Sequence, residues 1–149
     1  MRLPKMAVAL LGIVLLASAH AADRKYIVNP RPAHAKSLTF SDGVLVGDPL
    51  RIAGHIGLDP ETGQAPADPE QEARLVMDGV KTSVAAAGLS MDDAVSVQTF
   101  CTDLKLYETF NAVYKTYFHG PYPARAFGTD KLLRGGRYEL MGMAIKKTR

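Results

Sequence analysis

Apolar residues recur along this chain in two rhythms. Ala73, Val76, Met77, Val80 and Val84 follow helical spacing, with Glu70, Glu72, Arg74, Asp78 and Lys81 on the opposite positions. Asp68 and Pro69 mark a helix start, Gln71 completes an Asp-x-x-Gln capping box, and Gly88 marks the end, so a helix is predicted over 69–87. A second stripe, Leu106, Phe110, Val113, Tyr114 and Tyr117, predicts a helix within 104–118 and reads as core packing. Extended patterns fill the remainder. Val44–Val46 and Leu50–Ile56 flank the turn residues Gly47-Asp48-Pro49 as a hairpin, and strands are predicted at 94–101, near 124–129 and at 137–146. The order strand-strand-helix-strand-helix-strand-strand predicts an α+β two-layer domain with both helices on one face of the sheet.

The last strand, "RYELMGMAIK", breaks the alternation expected of a sheet with one wet face. Tyr138, Leu140 and Ala144 point one way, and the equally apolar Met141, Met143 and Ile145 the other. Two helices cover one face only. Another copy of the chain is the simplest cover for the second.

The first 21 residues follow a different pattern. Arg2 and Lys5 precede an apolar run from Met6 to Ala17, and Ala19-His20-Ala21 closes the segment. The run is shorter than the roughly 20 residues a bilayer span requires. Basic start, short apolar centre and small-residue exit predict a signal peptide over 1–21 and an exported, periplasmic or secreted protein, with no stable membrane association after cleavage. A polar arm or first strand follows over 22–37, and a single domain over 38–149. Removing Arg2 and Lys5 from the 18 basic residues leaves 16 against 15 Asp+Glu, so the mature chain is nearly neutral. It has no Lys/Arg cluster, and nothing recommends a nucleic-acid surface. The single Cys101 permits no internal disulfide and reads as a buried thiol. Four histidines without H-x-x-H or H-E-x-x-H spacing leave no zinc pattern; no metal and no cofactor is expected.

Chemistry concentrates in "PYPARAF". Two prolines stiffen the approach to Arg125, which is either a solvated charge or a group aimed at an anion. The stretches "AGHIGLDPETG", "VAAAGLSMDDAV", "FNAVYKTYF" and "YPARAF" occur in that order. Together they resemble the Rid (YjgF, reactive-intermediate deaminase) family, formerly labelled endoribonuclease L-PSP, over about residues 38–147. The resemblance implies a chorismate-mutase-like domain with a mixed sheet, assembled as a homotrimer with pockets between subunits. It also implies hydrolysis of enamines and imines to 2-keto acids and ammonia. Arg125 then matches the arginine that binds the substrate carboxylate, and Glu139 the glutamate that positions the attacking water. Phe40, Asn111, Phe127 and His55 match substrate-binding positions. Five features depart from the family pattern: His55 follows Gly54 where Gln is usual, Ala53 replaces a common serine, Phe127 replaces a cysteine, Phe40 lacks the hydroxyl of a pocket tyrosine, and "LLRGGR" replaces an L-P-x-G turn.

The residue types suit that chemistry. A guanidinium grips a carboxylate through two parallel hydrogen bonds, and a partly buried glutamate is a stronger base than an exposed one. The leading expectation is an exported imine deaminase acting on a small carboxylate-bearing imine. A non-catalytic periplasmic binder of small carboxylates, such as keto acids, and a holdase-like protein are the competing classes.

Overall fold

Residues 23–33 and 38–147 are described in the computed structural model; the expected signal peptide lies outside the described residues, as do residues 34–37 of the arm. Six strands form one sheet: β1 (Arg24–Ile27), β2 (Gly43–Val46), β3 (Pro49–Ile56), β4 (Ala94–Cys101), β5 (Ala124–Thr129) and β6 (Tyr138–Ile145). Two helices, α1 (Pro69–Ala86) and α2 (Tyr107–Tyr114), pack on one face. The spatial order is β1-β2-β3-β6-β4-β5, antiparallel throughout except for the β4–β5 pair. That parallel pair requires a crossover, and α2 is the element that makes it. Of the two readings of the segment before the domain, arm or first strand, Arg24–Ile27 form the second, the edge strand β1.

Local signals set the helix boundaries. Asp68 accepts a hydrogen bond from the Glu70 backbone N–H (3.0 Å), and Pro69 begins α1. The reciprocal bond from Gln71 expected of a capping box is not formed. At the other end Gly88 takes φ +77°, its N–H donates to the Ala85 carbonyl and that of Leu89 to Val84, the paired bonds of a Schellman cap.

Leu50, Ile52, Val97, Tyr138, Leu140 and Ala144 face Ala73, Val76, Met77, Val80, Phe110 and Val113 across the sheet–helix interface. One position assigned to solvent by periodicity belongs to this interior. Glu72 is fully buried, and its carboxylate accepts from the backbone N–H groups of Arg137 and Tyr138 (3.1 Å for the latter) and from Arg137 Nε at 2.6 Å. A buried carboxylate persists only when its lone pairs are filled, and the segment entering β6 fills them. Arg137 in turn donates to the carbonyls of Pro66 and Ala67, tying three segments together at the foot of β6.

Two bulges complete the frame. Between Ile52 and His55, β3 advances by one residue more than β6, and between Ala94 and Ser96, β4 does the same. The first reverses the side-chain phase of β3: Leu50 and Ile52 face the helices, and after the bulge His55 does. On the uncovered face Met141, Met143 and Ile145 remain half-exposed, as the pattern of the last strand led one to expect for a single copy.

Candidate active site

β5 is an edge strand, and its register with β4 pairs Arg125 with Val97 and Phe127 with Thr99. Val97 and Thr99 are buried beneath the helices, so Arg125 and Phe127 project to the helix side. There α2 supplies Tyr107, Asn111 and Tyr114, spaced i, i+4, i+7 on one helix face. Arg125 Nη2 donates to Asn111 Oδ1 at 2.8 Å and, at 3.4 Å, to the Tyr107 hydroxyl. The guanidinium carbon lies 4.7 Å from the Tyr114 ring centre, 5.4 Å from Phe127 and 5.7 Å from Tyr107. Phe127 is itself held edge-on against Tyr107 and Phe110. Three rings and an amide therefore fix the plane of the guanidinium.

The charge is oriented but not neutralised. None of the ion pairs among the described residues includes Arg125, and its Nη1 is buried without a hydrogen-bond partner, as is the Tyr114 hydroxyl. Burial pushes the Tyr114 phenol up to about 12, against the opposing pull of the Arg125 charge. An open cavity of about 270 Å³ lies beside these groups, lined by Asn111, Tyr114, Lys115, Tyr122, Pro123 and Arg125.

Glu139 occupies the other face. It stands between the buried Tyr138 and Leu140 on β6, opposite Phe100 of β4 and Ile56 of β3. Its carboxylate lies directly over Gly54 at the β3 bulge, where an added Cβ would overlap Oε1. Desolvation raises its pKa above the ordinary glutamate value, with a further push from the Asp130 charge. This is a half-buried carboxylate with strengthened basicity.

Of the residues read as site residues, the structure brings Arg125, Asn111 and Phe127 together and places Glu139 apart from them. β5 and β6 are two strand spacings apart, about 10 Å, and the two side chains leave opposite faces. Phe40, exposed just before β2, lies four spacings from β5, about 19 Å along the sheet.

His55 is not at either place. Its ring is buried between β3 and α1, against Gly79. Nδ1 donates to the Ala53 carbonyl (2.8 Å), and Nε2 faces Ser83 Oγ (3.0 Å) and Asn29 Nδ2 (3.4 Å), with Asp42 at 3.9 Å. Asp42 is held by Arg31 at 2.6 Å, and the whole network pins the arm to the core. The substrate-binding position implied for His55 is not where the structure puts its side chain: the bulge turns it under α1. Tyr107 and Gly54 are site-forming residues that the residue patterns did not single out, and Tyr114, read from its stripe as core packing, is a third. The i, i+4, i+7 row through Asn111 was the available signal for the two tyrosines.

The family model described as endoribonuclease L-PSP matches residues 30–145. The chain belongs to this family. Among its Rid/L-PSP relatives, the 2-iminobutanoate/2-iminopropanoate deaminase of Bos taurus is 32% identical over 122 residues, spanning 80% of this chain and 89% of that protein. The enzyme of the same name from Escherichia coli is 33% identical over 112 residues, 72% of this chain and 88% of its own length. The crystal structure of E. coli TdcF with bound serine superposes with a TM-score of 0.74 at 33% identity, covering 83% of this chain and all of TdcF. The mixed six-stranded sheet with two helices is thus the Rid fold.

Proposed function

We propose that this protein is an imine deaminase: it adds water to C2 of a 2-imino acid and releases a 2-keto acid and ammonia. The carrying observation is the Arg125 guanidinium, immobilised by Asn111 and three rings beside an open cavity, with no carboxylate of its own. Two relatives are named as deaminases of 2-iminobutanoate and 2-iminopropanoate, which carry a carboxylate next to the imine carbon, the group such a fork grips.

In this reading Arg125 binds the substrate carboxylate and sets the imine plane. Glu139 takes a proton from water as its oxygen bonds to C2 and returns it to the imine nitrogen, giving a tetrahedral carbinolamine. The carbinolamine hydroxyl then passes its proton through Glu139 to the amine, the C–N bond breaks, and ammonia leaves as the C2 carbonyl forms. A raised pKa favours the first transfer and keeps the acid form accessible for the second. Because Arg125 and Glu139 leave opposite faces of one sheet, a site using both takes one from each of two copies. The half-exposed Met141, Met143 and Ile145 on the Glu139 face support such an assembly, and the family resemblance supports a trimer. Export is part of the proposal, on the strength of the leader pattern in residues 1–21.

The test is ammonia and keto-acid release while an amino-acid oxidase supplies the imine. Light scattering should report a trimer mass. Arg125→Lys retains charge without the fork and should weaken keto-acid binding by about 10–150-fold, since bonds to charged groups contribute roughly 1.5–3 kcal/mol. Glu139→Gln should slow turnover by about 10²–10⁴-fold while binding persists. Keto-acid binding through Arg125 with no acceleration of any imine would replace the deaminase reading with a carboxylate binder.

A further inference from the structure

The cavity beside Arg125 contains a second cation. Lys115 follows α2 with helical φ/ψ, its backbone N–H donating to the Asn111 carbonyl, so it sits i+4 from the residue bonded to Arg125. Side chains so related start about 5–6 Å apart on one helix face. Both Lys115 and Arg125 line the same 270 Å³ cavity, whose other walls are Asn111, Tyr114, Tyr122 and Pro123. No acidic residue lines it, and no ion pair among the described residues includes Lys115. Two positive charges around a cavity without a negative one create a field that a single carboxylate half answers.

We propose that this site selects dicarboxylates, with Arg125 holding the carboxylate next to the reacting carbon and Lys115 the distal one. The proposal rests on the deaminase reading and refines its substrate class to the imines of 2-amino dicarboxylic acids. The ammonium is a point charge on a flexible stem, suited to a distal group of variable reach, while the planar fork holds the fixed end. The distal carboxylate takes no part in the reaction: water is gained and ammonia lost at C2, as for any 2-imino acid.

The test is equilibrium binding, independent of turnover, with two keto acids of equal chain length: 2-oxoglutarate and 2-oxopentanoate. Calorimetry on the unmutated protein should give about a five- to tenfold preference for the dicarboxylate, the scale of one partly exposed charge pair. The preference should shrink as salt rises through the range that screens exposed charges. Lys115→Gln should bring the ratio to about one, Lys115→Glu below one, and Lys115→Arg should restore it. A ratio near one in the unmutated protein, or one unchanged in Lys115→Gln, overturns the selectivity; imine turnover that survives shows the deaminase reading standing without it. If Arg125→Lys alters the binding of neither acid, the underlying reading fails and this one falls with it.

Discussion

Gly54→Ala is the sharpest probe of how the carboxylate of Glu139 is held. An alanine Cβ at this position would overlap Glu139 Oε1 and stand 3.0 Å from Cδ. Something has to move. The β3 backbone is paired with β6 on both sides of the bulge, whereas the carboxylate ends a side chain with three rotatable bonds. The carboxylate therefore yields and swings toward solvent. Gly54 is not among the positive-φ glycines, so alanine fits the backbone. Overpacking costs about 1–3 kcal/mol, and the entropy lost from the unfolded chain offsets about 0.4–1 of it. Denaturant unfolding should thus show a net loss of at most about 2.6 kcal/mol. Turnover should fall far more, by about 10²–10⁴-fold, because the base is no longer placed. Keto-acid affinity at Arg125 should persist. Carbon-13 NMR titration supplies a readout free of the assay: the Glu139 carboxyl, raised above 4.5 by burial in the native protein, should fall toward that value. Turnover within about threefold of the unmutated protein, together with a still-raised carboxyl pKa, would refute the reasoning.

Glu72→Ala leaves the Arg137 and Tyr138 amides and Arg137 Nε without their acceptor; chemical denaturation should show a loss of about 3–5 kcal/mol. His55 has its pKa lowered from 6.5, first by burial, so the unfolded chain binds its proton more readily than the folded one. Stability should be full above about pH 6.5 and decline as pH falls toward the lowered native value, by at most about 1.4 kcal/mol per pH unit, a slope that His55→Gln removes. Intact mass of exported protein should begin at Ala22 or within a residue or two; full-length chain in the membrane would contradict export.

Much of this fold is legible in residue patterns because periodicity reports burial directly. The stripe from Ala73 to Val84 and the row Phe110, Val113, Tyr114 all reach the core. Glu72 escapes the pattern because its partner is 65 residues away, and a polar residue with a distant acceptor role looks the same as a solvated one. His55 escapes for another reason. "RIAGHIG" is apolar enough to read as continuous strand, and only pairing with β6 reveals the extra residue that turns His55 inward. The motif residues Arg125 and Glu139 are visible in sequence, and alternation along the last strand sets the face of Glu139, but the face of Arg125 depends on the register of β5 against β4, which no local signal encodes.

The split between those two faces has a genetic consequence. A chain altered at Arg125 keeps an intact Glu139, and a chain altered at Glu139 keeps its Arg125. If the site is shared between copies as proposed, two such alleles expressed in one cell would partly rescue each other. Random mixing in a ring would reunite a sound arginine with a sound glutamate at about one site in four. A single chain bearing both alterations would offer its partners neither half. A cell making only the doubly altered chain would therefore have no sound site, where one making the two singly altered chains keeps about a quarter of them.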